Sequence, residues 1–311
     1  MMWDEEVDVV CTGAGLGGLA SAIAAVDVGG EVFVASSTGC EGAYGYPIAD
    51  RPQVDHLRHW LGVGVLDPET KEYFAAVSSD LGTLNRWAVE VDVPVRVVDE
   101  PSPAELSRHA VEPFVGARLR DWAASCVTSP YGYHYTRASR RGRTTMRSRD
   151  GASIEVTEIG SFESGEHGFQ GPTLTDWLVA QAHDRCIEIH AASPLQRIVF
   201  EDGQAVGAVI ATPDGPYAVR ARHGVAVAPD GPLVNTCTRQ EWLQGHATAR
   251  LCLVNRTASR FGRLELLTTE PPASPYCPTD RRLRAGLHQK SQQLSHTWRC
   301  GKVQGYPALG E

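Results

Sequence analysis

The feature that most constrains this chain is a glycine-rich segment, GAGLGG, at residues 13–18. A short β-branched apolar run, VDVVC at residues 7–11, precedes it and is typical of a strand buried on both faces of a parallel sheet. Small residues that favour a helix follow over residues 16–28, and EVFVA at residues 31–35 has a strand pattern again. This order predicts a β-loop-α-β unit within about thirty residues.

Three of the glycines, Gly13, Gly15 and Gly18, give the spacing GxGxxG directly after a predicted strand and at the start of a predicted helix. In such units the first glycine permits a tight turn, the second lets the backbone approach a pyrophosphate, and the third lets helix and strand pack closely. The helix N-terminus offers free N–H groups and a positive dipole end to phosphates. The pattern extends to Ala22 and Gly29, a spacing typical of FAD-binding proteins, so FAD is the predicted cofactor. The alternative is a glycine-rich turn with no ligand.

The end of the second predicted strand departs from the usual pattern. An acidic residue normally stands there and accepts hydrogen bonds from the adenosine ribose, but this chain has Ser36, followed by Ser37. A hydroxyl binds a ribose more weakly than a carboxylate does, and it could also admit the 2′-phosphate of NADP. An arginine usually accompanies a 2′-phosphate, and the nearest one downstream is Arg51. FAD is therefore the first interpretation, and weaker binding or an empty site is the second.

Hydrophobic periodicity predicts further helices and strands along the chain. A long amphipathic helix is predicted over residues 68–91, and shorter helices at residues 114–126 and 172–184. Between them, SPYGYHYTRASRRGRTT at residues 129–145 is rich in tyrosine and arginine and is predicted to be a loop. Strands are predicted at residues 94–98, 187–190, 195–200, 205–212, 217–221 and 224–228, of which 195–221 form a three-stranded meander joined by the turns EDGQ and TPDG.

This order of elements resembles the superfamily of FAD-dependent fumarate reductases and 3-ketosteroid dehydrogenases, which share a glutathione-reductase-type FAD domain. The resemblance covers about residues 7–231. The βαβ segment resembles the family's first FAD segment, CEGAYG at residues 40–45 its second glycine-rich stretch, and HGVAVAPDG at residues 223–231 the strand that ends in an Ala-Thr-Gly-Gly turn. It implies an α/β fold: a Rossmann-like FAD-binding domain with a central parallel sheet and a three-stranded β-meander, plus a small or incomplete cap region.

The glycine motif and the resemblance together predict a set of cofactor-binding residues. In the family, the backbone at the position of Leu195 meets the adenine, and His167 stands where members carry a histidine beside the flavin. The predicted set is Gly13, Ala14, Gly15, Leu16, Gly17, Gly18, Ser36, Ser37, Gly42, Ala43, His167, Leu195, Ala228 and Gly231.

The resemblance implies an FAD-binding domain over residues 1–231, with a helical insertion at about 52–130, and a reduced cap or C-terminal extension over residues 232–311. It implies an oxidoreductase that transfers a hydride between flavin N5 and a carbon of a small organic substrate, fumarate-like or steroid-enone-like. Family members usually continue through a larger capping domain. The alternative is therefore a non-catalytic FAD-binding protein, or one that completes its site with a partner subunit or a second copy.

No catalytic residue is predicted, although several tyrosines are candidates for proton transfer. A tyrosine can move a proton if nearby cations lower its high pKa, and arginines lie close in sequence to some of them. The simpler interpretation is that these residues are aromatic side chains of a loop that anchor a surface. The candidates are Tyr44, Tyr46, Tyr131, Tyr133 and Tyr135.

Composition argues against several classes of protein. The formal net charge of −8 disfavours nucleic acid as the main partner, because phosphate binding needs clustered basic residues. No apolar stretch reaches the roughly 20 residues of a membrane-spanning helix, and the acidic N-terminus lacks the basic region of a secretory signal, so a cytoplasmic protein is expected. The eight cysteines include no CxxC pair, and the pair His56 and His59 lacks further ligands, so no metal is predicted.

Overall fold

The structure, a computed structural model, describes residues 2–37, 65–79, 81, 93–99, 116–137, 143–163, 173–230 and 248–269. The described chain is mixed α/β. Its helices are α1 (Leu16–Asp27), α2 (Pro68–Ser79), α3 (Gly116–Val127) and α4 (Leu174–Asp184). Its strands are β1 (Glu5–Val7), β2 (Val9–Thr12), β3 (Val32–Ala35), β4 (Val95–Val97), β5 (Gly132–Tyr135), β6 (Thr144–Arg147), β7 (Ser153–Glu163), β8 (Ile189–His190), β9 (Leu195–Glu201), β10 (Gln204–Thr212), β11 (Gly215–Ala221), β12 (Val225–Val227), β13 (Thr248–Asn255) and β14 (Phe261–Thr268).

The larger sheet has the strand order β6-β7-β13-β14-β5-β12-β2-β3-β8, and β4 pairs with β14. Within it, β12, β2, β3 and β8 run parallel to their neighbours. On the other side of β12, the neighbours from β5 to β6 pair antiparallel. The sheet is therefore mixed: β12, β2, β3 and β8 form a parallel group at one side, and β4 pairs in parallel with β14 in the otherwise antiparallel part.

The smaller sheet has the order β1-β11-β10-β9. The predicted meander is present as β9, β10 and β11, joined by tight turns in which Gly203 and Gly215 have positive φ. β1 adds to its edge in parallel with β11.

The predicted β-loop-α-β unit is present as β2, α1 and β3, with small changes at its ends. The single strand predicted over residues 7–11 is divided at Asp8, so that β1 joins the smaller sheet and β2 the larger. The Asp8 carboxylate accepts a hydrogen bond from the Glu31 N–H at 2.9 Å, which links the start of β2 to the approach to β3. Leu19 and Ile23 on α1 are buried in a core that also contains Leu174 and Leu178 of α4.

The helix predicted over residues 68–91 is shorter in the structure, since α2 ends at Ser79 and Leu81 lies in a turn. Ser78 Oγ donates to the Phe74 carbonyl at 2.7 Å, and Ser79 Oγ donates to the Ala76 carbonyl at 2.8 Å. Serine hydroxyls that bond back to the helix compete with its backbone hydrogen bonds and favour an ending there. Residues 82–92 of the prediction lie outside the described residues.

The prediction of a loop over residues 129–145 was wrong for much of that segment. Residues 132–135 form β5, which lies between β12 and β14 in the larger sheet, and residues 144–147 form β6. The alternation of Tyr131, Tyr133 and Tyr135 is the period of two expected of a strand, but tyrosine and arginine content indicated a surface. The long strand β7 was not predicted at all.

Residues 248–269, which belong to the predicted C-terminal extension, form the hairpin β13–β14, which is hydrogen-bonded to β7 and β5. The division of the chain at residue 231 stays a prediction. None of the helices in the described ranges is long and apolar enough to cross a membrane.

Candidate nucleotide-binding site

Three chain segments meet where the parallel strands end. Thr12 at the end of β2 is paired with Ala35 of β3 on one side and with Val227 of β12 on the other. The glycine segment, the residues after Ala35 and the residues after Val227 therefore leave the sheet side by side, at its C-terminal edge. Open α/β sheets bind ligands at such an edge, outside the carboxyl ends of their strands.

The three motif glycines lie where a side chain has no room. Gly13 has a φ of 95°, and a Cβ there would lie 2.1 Å from the Ala228 carbonyl oxygen. A Cβ on Gly18 would lie 1.8 Å from the Gly13 carbonyl oxygen, so α1 sits tightly on its own loop. A Cβ on Gly15 would lie 2.3 Å from the Pro229 carbonyl oxygen. Close backbone packing thus requires glycine at all three positions, whatever else binds there.

Gly17 has a packing role that the motif did not indicate. A Cβ there would lie 2.5 Å from the Gly132 carbonyl oxygen of β5, so the first turn of α1 lies directly on that strand. Leu16, beside it, is 1% exposed and belongs to the core.

The N-terminus of α1 has no side-chain cap. Gly15 is its N-cap residue, it provides no capping hydrogen bond, and the first turn contains no acidic residue. The first N–H groups of a helix need acceptors outside the helix, and the aligned peptide dipoles place partial positive charge there. This end of α1 is therefore suited to an anion.

The side chain of Asp230, which the sequence prediction missed, links the segment after β12 to the other two segments at this edge. Asp230 Oδ1 accepts hydrogen bonds from the Ala14 N–H at 3.2 Å and from Ser36 Oγ at 3.0 Å, and Oδ2 accepts from the Ser37 N–H. Ser36 is buried and Asp230 partly buried. In the sequence, Asp230 is marked only as an acidic residue shortly after a buried strand, at a position where the predicted family turn has glycine.

The segment before β9 also reaches this edge. The Ser193 N–H donates to the Ser36 carbonyl at 2.7 Å, and Leu195, two residues on, is buried. Ala228 is fully buried beneath Gly13. The structure thus brings Gly13, Ala14, Gly15, Leu16, Gly17, Gly18, Ser36, Ser37, Leu195 and Ala228 to one edge of the larger sheet or next to it. The other predicted positions, Gly42, Ala43, His167 and Gly231, lie outside the described residues.

The tyrosine candidates within the described residues are not exposed anchors of a surface. Tyr131 and Tyr133 are each 1% exposed, and the Tyr133 hydroxyl donates to Asn255 Oδ1. Burial raises the pKa of Tyr133 well above its ordinary value and raises the pKa of Tyr135 to about 12. The loss of solvation outweighs the smaller effect of Arg143, which lowers both pKa values. Tyr44 and Tyr46 lie outside the described residues.

His134, between these tyrosines, is fully buried. Its Nε2 lies 2.8 Å from the Tyr73 hydroxyl. Burial, with a smaller contribution from Arg260, lowers the pKa of His134 to about 3, so the ring is neutral at physiological pH. A neutral, enclosed histidine of this kind is part of the core.

A second polar group, which we call the Glu265 cluster, consists of Glu265, Arg96, Arg263 and Trp122. Arg96 Nε donates to Glu265 Oε2 at 2.6 Å, and Arg263 Nε donates to Oε1 at 2.7 Å. Both guanidinium groups lie over the Trp122 ring, at 5.8 and 5.4 Å from its centroid. Burial alone would raise the pKa of Glu265, but the two arginines hold that pKa below its ordinary value. The cluster is a largely buried ion-pair network in which one carboxylate bonds to two guanidinium groups of the same chain.

No family model matches the sequence, and no curated protein matches it. Solved structures do match. A 3-ketosteroid-Δ4-(5α)-dehydrogenase from Rhodococcus jostii RHA1 matches 72% of this chain at 21% identity with a TM-score of 0.29. Aklavinone-11 hydroxylase in complex with FAD matches 71% at 23% identity with a TM-score of 0.26, and a flavocytochrome c3 fumarate reductase matches 70% at 17% identity with a TM-score of 0.27. The alignments cover 46%, 32% and 33% of those chains, so this chain spans less than half of each. Both kinds of protein named in the predicted resemblance are among the matched structures.

Proposed function

We propose that this chain binds FAD at the edge formed by β12, β2 and β3, as part of a Rossmann-like domain, and that it acts as an FAD-dependent oxidoreductase. The observation that supports this most is the N-terminus of α1. There, an uncapped helix follows a loop packed too tightly for side chains, at the carboxyl ends of three adjacent parallel strands. This combination binds a pyrophosphate through backbone N–H groups and the helix dipole, without basic side chains.

The described residues fit the adenosine diphosphate half of the cofactor. The first turn of α1 would hold the pyrophosphate, and Ser36 and Ser37, which follow β3, would meet the ribose. The backbone near Leu195 is tied to Ser36 through Ser193. We assign the adenine to the Leu195 segment. Gly42, Ala43, His167 and Gly231 are proposed for the flavin half.

Bound FAD would supply hydride transfer at N5, and the substrate proposed is a small organic molecule of the fumarate or steroid-enone type. A second candidate function is a flavin-binding protein that is non-catalytic or needs a partner to complete its site. The burial of Tyr133 and His134 supports this second candidate, because enclosed groups with pKa values far from neutrality are poor general acids.

Purification followed by a visible absorption spectrum tests the cofactor proposal. We expect a yellow protein with the two visible bands of an oxidised flavin, and we expect FAD rather than FMN when the flavin is released by heat and identified by chromatography. The negative control is Gly15→Ala, which places a methyl group against the Pro229 carbonyl and should give a colourless protein. A colourless wild-type protein that also fails to bind added FAD contradicts the proposal.

Reoxidation separates the two candidate functions. The flavin is reduced with dithionite under nitrogen and then mixed with fumarate or with a steroid enone. Reoxidation that saturates with the concentration of one acceptor supports the oxidoreductase. A flavin that stays reduced with every acceptor supports the non-catalytic or partner-dependent protein.

A further inference from the structure

The carboxylate of Asp230 lies beside the two serines that follow β3, and the end of this second strand usually supplies an acidic residue in a dinucleotide-binding unit. That residue normally ends the second strand and accepts hydrogen bonds from the adenosine ribose. Here β3 ends in Ala35 and is followed by Ser36 and Ser37, which lack a carboxyl group. Asp230 comes from the neighbouring strand β12, yet its oxygens lie within hydrogen-bond distance of both serines.

The pairing of the strands explains how this arrangement arises. β12 and β3 flank β2, and Val227, Thr12 and Ala35 are in register. Two residues beyond Ala228, the chain has passed across the end of β2, close enough for Asp230 to bond to Ala14 as well. An acid after β12 can therefore reach the position that an acid after β3 would hold.

The bonding of Asp230 leaves capacity for a ligand. A carboxylate has about four acceptor positions, and three of them take the described donors: the Ala14 N–H, the Ser36 hydroxyl and the Ser37 N–H. A ribose has two adjacent hydroxyls. One ribose hydroxyl can donate to the remaining acceptor position of Asp230. The other can hydrogen-bond with the Ser36 hydroxyl, or can replace that hydroxyl as a donor to Asp230.

We propose that Asp230 binds the adenosine ribose of the cofactor and excludes nucleotides that carry a 2′-phosphate. This inference rests on the proposed FAD site. A carboxylate accepts from a ribose hydroxyl but repels a phosphate in the same place, because both are anionic. Ser36 and Ser37 alone are compatible with a 2′-phosphate, whereas the negative charge of Asp230 disfavours one.

The test compares AMP with adenosine 2′,5′-bisphosphate, two ligands that differ only in the 2′-phosphate. Isothermal titration of the flavin-free wild-type protein is expected to give at least a ten-fold tighter dissociation constant for AMP. Asp230→Asn is expected to raise the dissociation constant for AMP by about ten-fold, since a hydrogen bond to a charged acceptor is lost. It should raise the dissociation constant for the bisphosphate much less. The preference between the two ligands then disappears.

The matched control is Asp214→Asn, which removes an exposed carboxylate from the turn between β10 and β11 in the smaller sheet. It changes the net charge by the same amount and should keep the wild-type preference. Asp230→Glu retains the carboxylate and should retain a preference for AMP, so it replaces the asparagine variant if that variant does not fold. Circular dichroism establishes that each variant is folded.

The outcomes separate this inference from the proposed function. Wild-type protein that binds neither FAD nor AMP overturns both. Wild-type protein that binds FAD but binds the two nucleotides equally overturns the assignment of Asp230 and leaves the FAD site standing. An Asp230→Asn variant that keeps the full wild-type preference does the same.

Discussion

The N-terminus of α1 and the Glu265 cluster are both polar regions in a largely apolar interior, but their polar groups have different kinds of partners. In the Glu265 cluster, one carboxylate accepts hydrogen bonds from two guanidinium groups of the same chain. At α1, the helix end has neither a side-chain cap nor an acid in its first turn. Asp230 reaches the loop just before it from a position 216 residues away in sequence.

The comparison teaches that a shifted pKa alone does not locate a ligand site. Tyr133 and His134 are enclosed groups whose pKa values are strongly shifted by burial. Such shifts are frequent at functional sites, but structural networks produce them as well. The N-terminus of α1 is proposed as a ligand site on its backbone geometry instead, because its first N–H groups have no side-chain cap.

The largest expected loss of stability comes from Glu265→Gln. Removing the negative charge leaves the partly buried Arg96 and Arg263 without their counter-ion, which we expect to lower the free energy of unfolding by about 3 kcal/mol. Urea denaturation measures this loss. Glu158→Gln is the control, because Glu158 is 46% exposed and 3.8 Å from its partner Arg250, so the change should stay within about 0.5 kcal/mol. FAD binding should be unchanged in both variants. A loss of FAD binding in Glu265→Gln alone would mean that the Glu265 cluster supports the site at the N-terminus of α1.

The pH dependence of the same variant has a defined sign. The pKa of Glu265 is lower in the folded protein than its ordinary value of about 4.3 in an unfolded chain. Its contribution to stability is therefore fully present above that value and is lost as the pH falls through the lower, folded pKa. The difference in unfolding free energy between wild type and Glu265→Gln should shrink as the pH is lowered below about 4. A difference that grows on acidification would contradict the assignment.

The sequence predicted local units better than distant partners. The β-loop-α-β unit and the meander follow from glycine spacing, small residues and turn motifs, all of which act within about ten to thirty residues. β5 was missed because its burial depends on β12 and β14, which come much later in the chain.

The same limit explains what was missed at the two polar places. Asp230 reaches the serines only because β12 pairs with β2, and Arg96 meets Glu265 only because β4 pairs with β14. Neither pairing has a local signal. The motif rule also assigned Gly15 to the approach of a pyrophosphate, whereas the structure adds a backbone contact with Pro229 that no local pattern shows.

A smaller loss of stability, but a complete loss of binding, is expected for Gly15→Ala. Its Cβ would meet the Pro229 carbonyl oxygen at 2.3 Å, so the segment that carries Asp230 has to move. Such overpacking costs about 1–3 kcal/mol, and we expect FAD binding to fall below detection. Gly29→Ala is the control: a Cβ there meets nothing within 4 Å, so only the strain of its φ of 79° remains. Cofactor binding that survives Gly15→Ala would mean that the ligand lies elsewhere.

The smallest effect is expected at the N-terminus of α4, the helix that packs beside α1. Here Thr173 Oγ1 accepts from the Asp176 N–H at 3.1 Å, and the Asp176 carboxylate accepts from the Thr173 N–H at 3.3 Å, so the end is capped by its own side chains. Thr173→Ala should lower the free energy of unfolding by about 1 kcal/mol and leave FAD affinity unchanged.

Thr175→Ala is the matched control for that cap. Among the described residues, the Thr175 hydroxyl has no hydrogen-bond partner, so its removal should cost less than the removal of the Thr173 hydroxyl. Urea denaturation and FAD titration of both variants complete the contrast between the two helix ends. If Thr173→Ala lowers the affinity for FAD as well as the free energy of unfolding, then the capped N-terminus of α4 and the uncapped N-terminus of α1 contribute alike to the site. Ligand binding would then depend on the stability of the α1–α4 pair rather than on the open donors of α1.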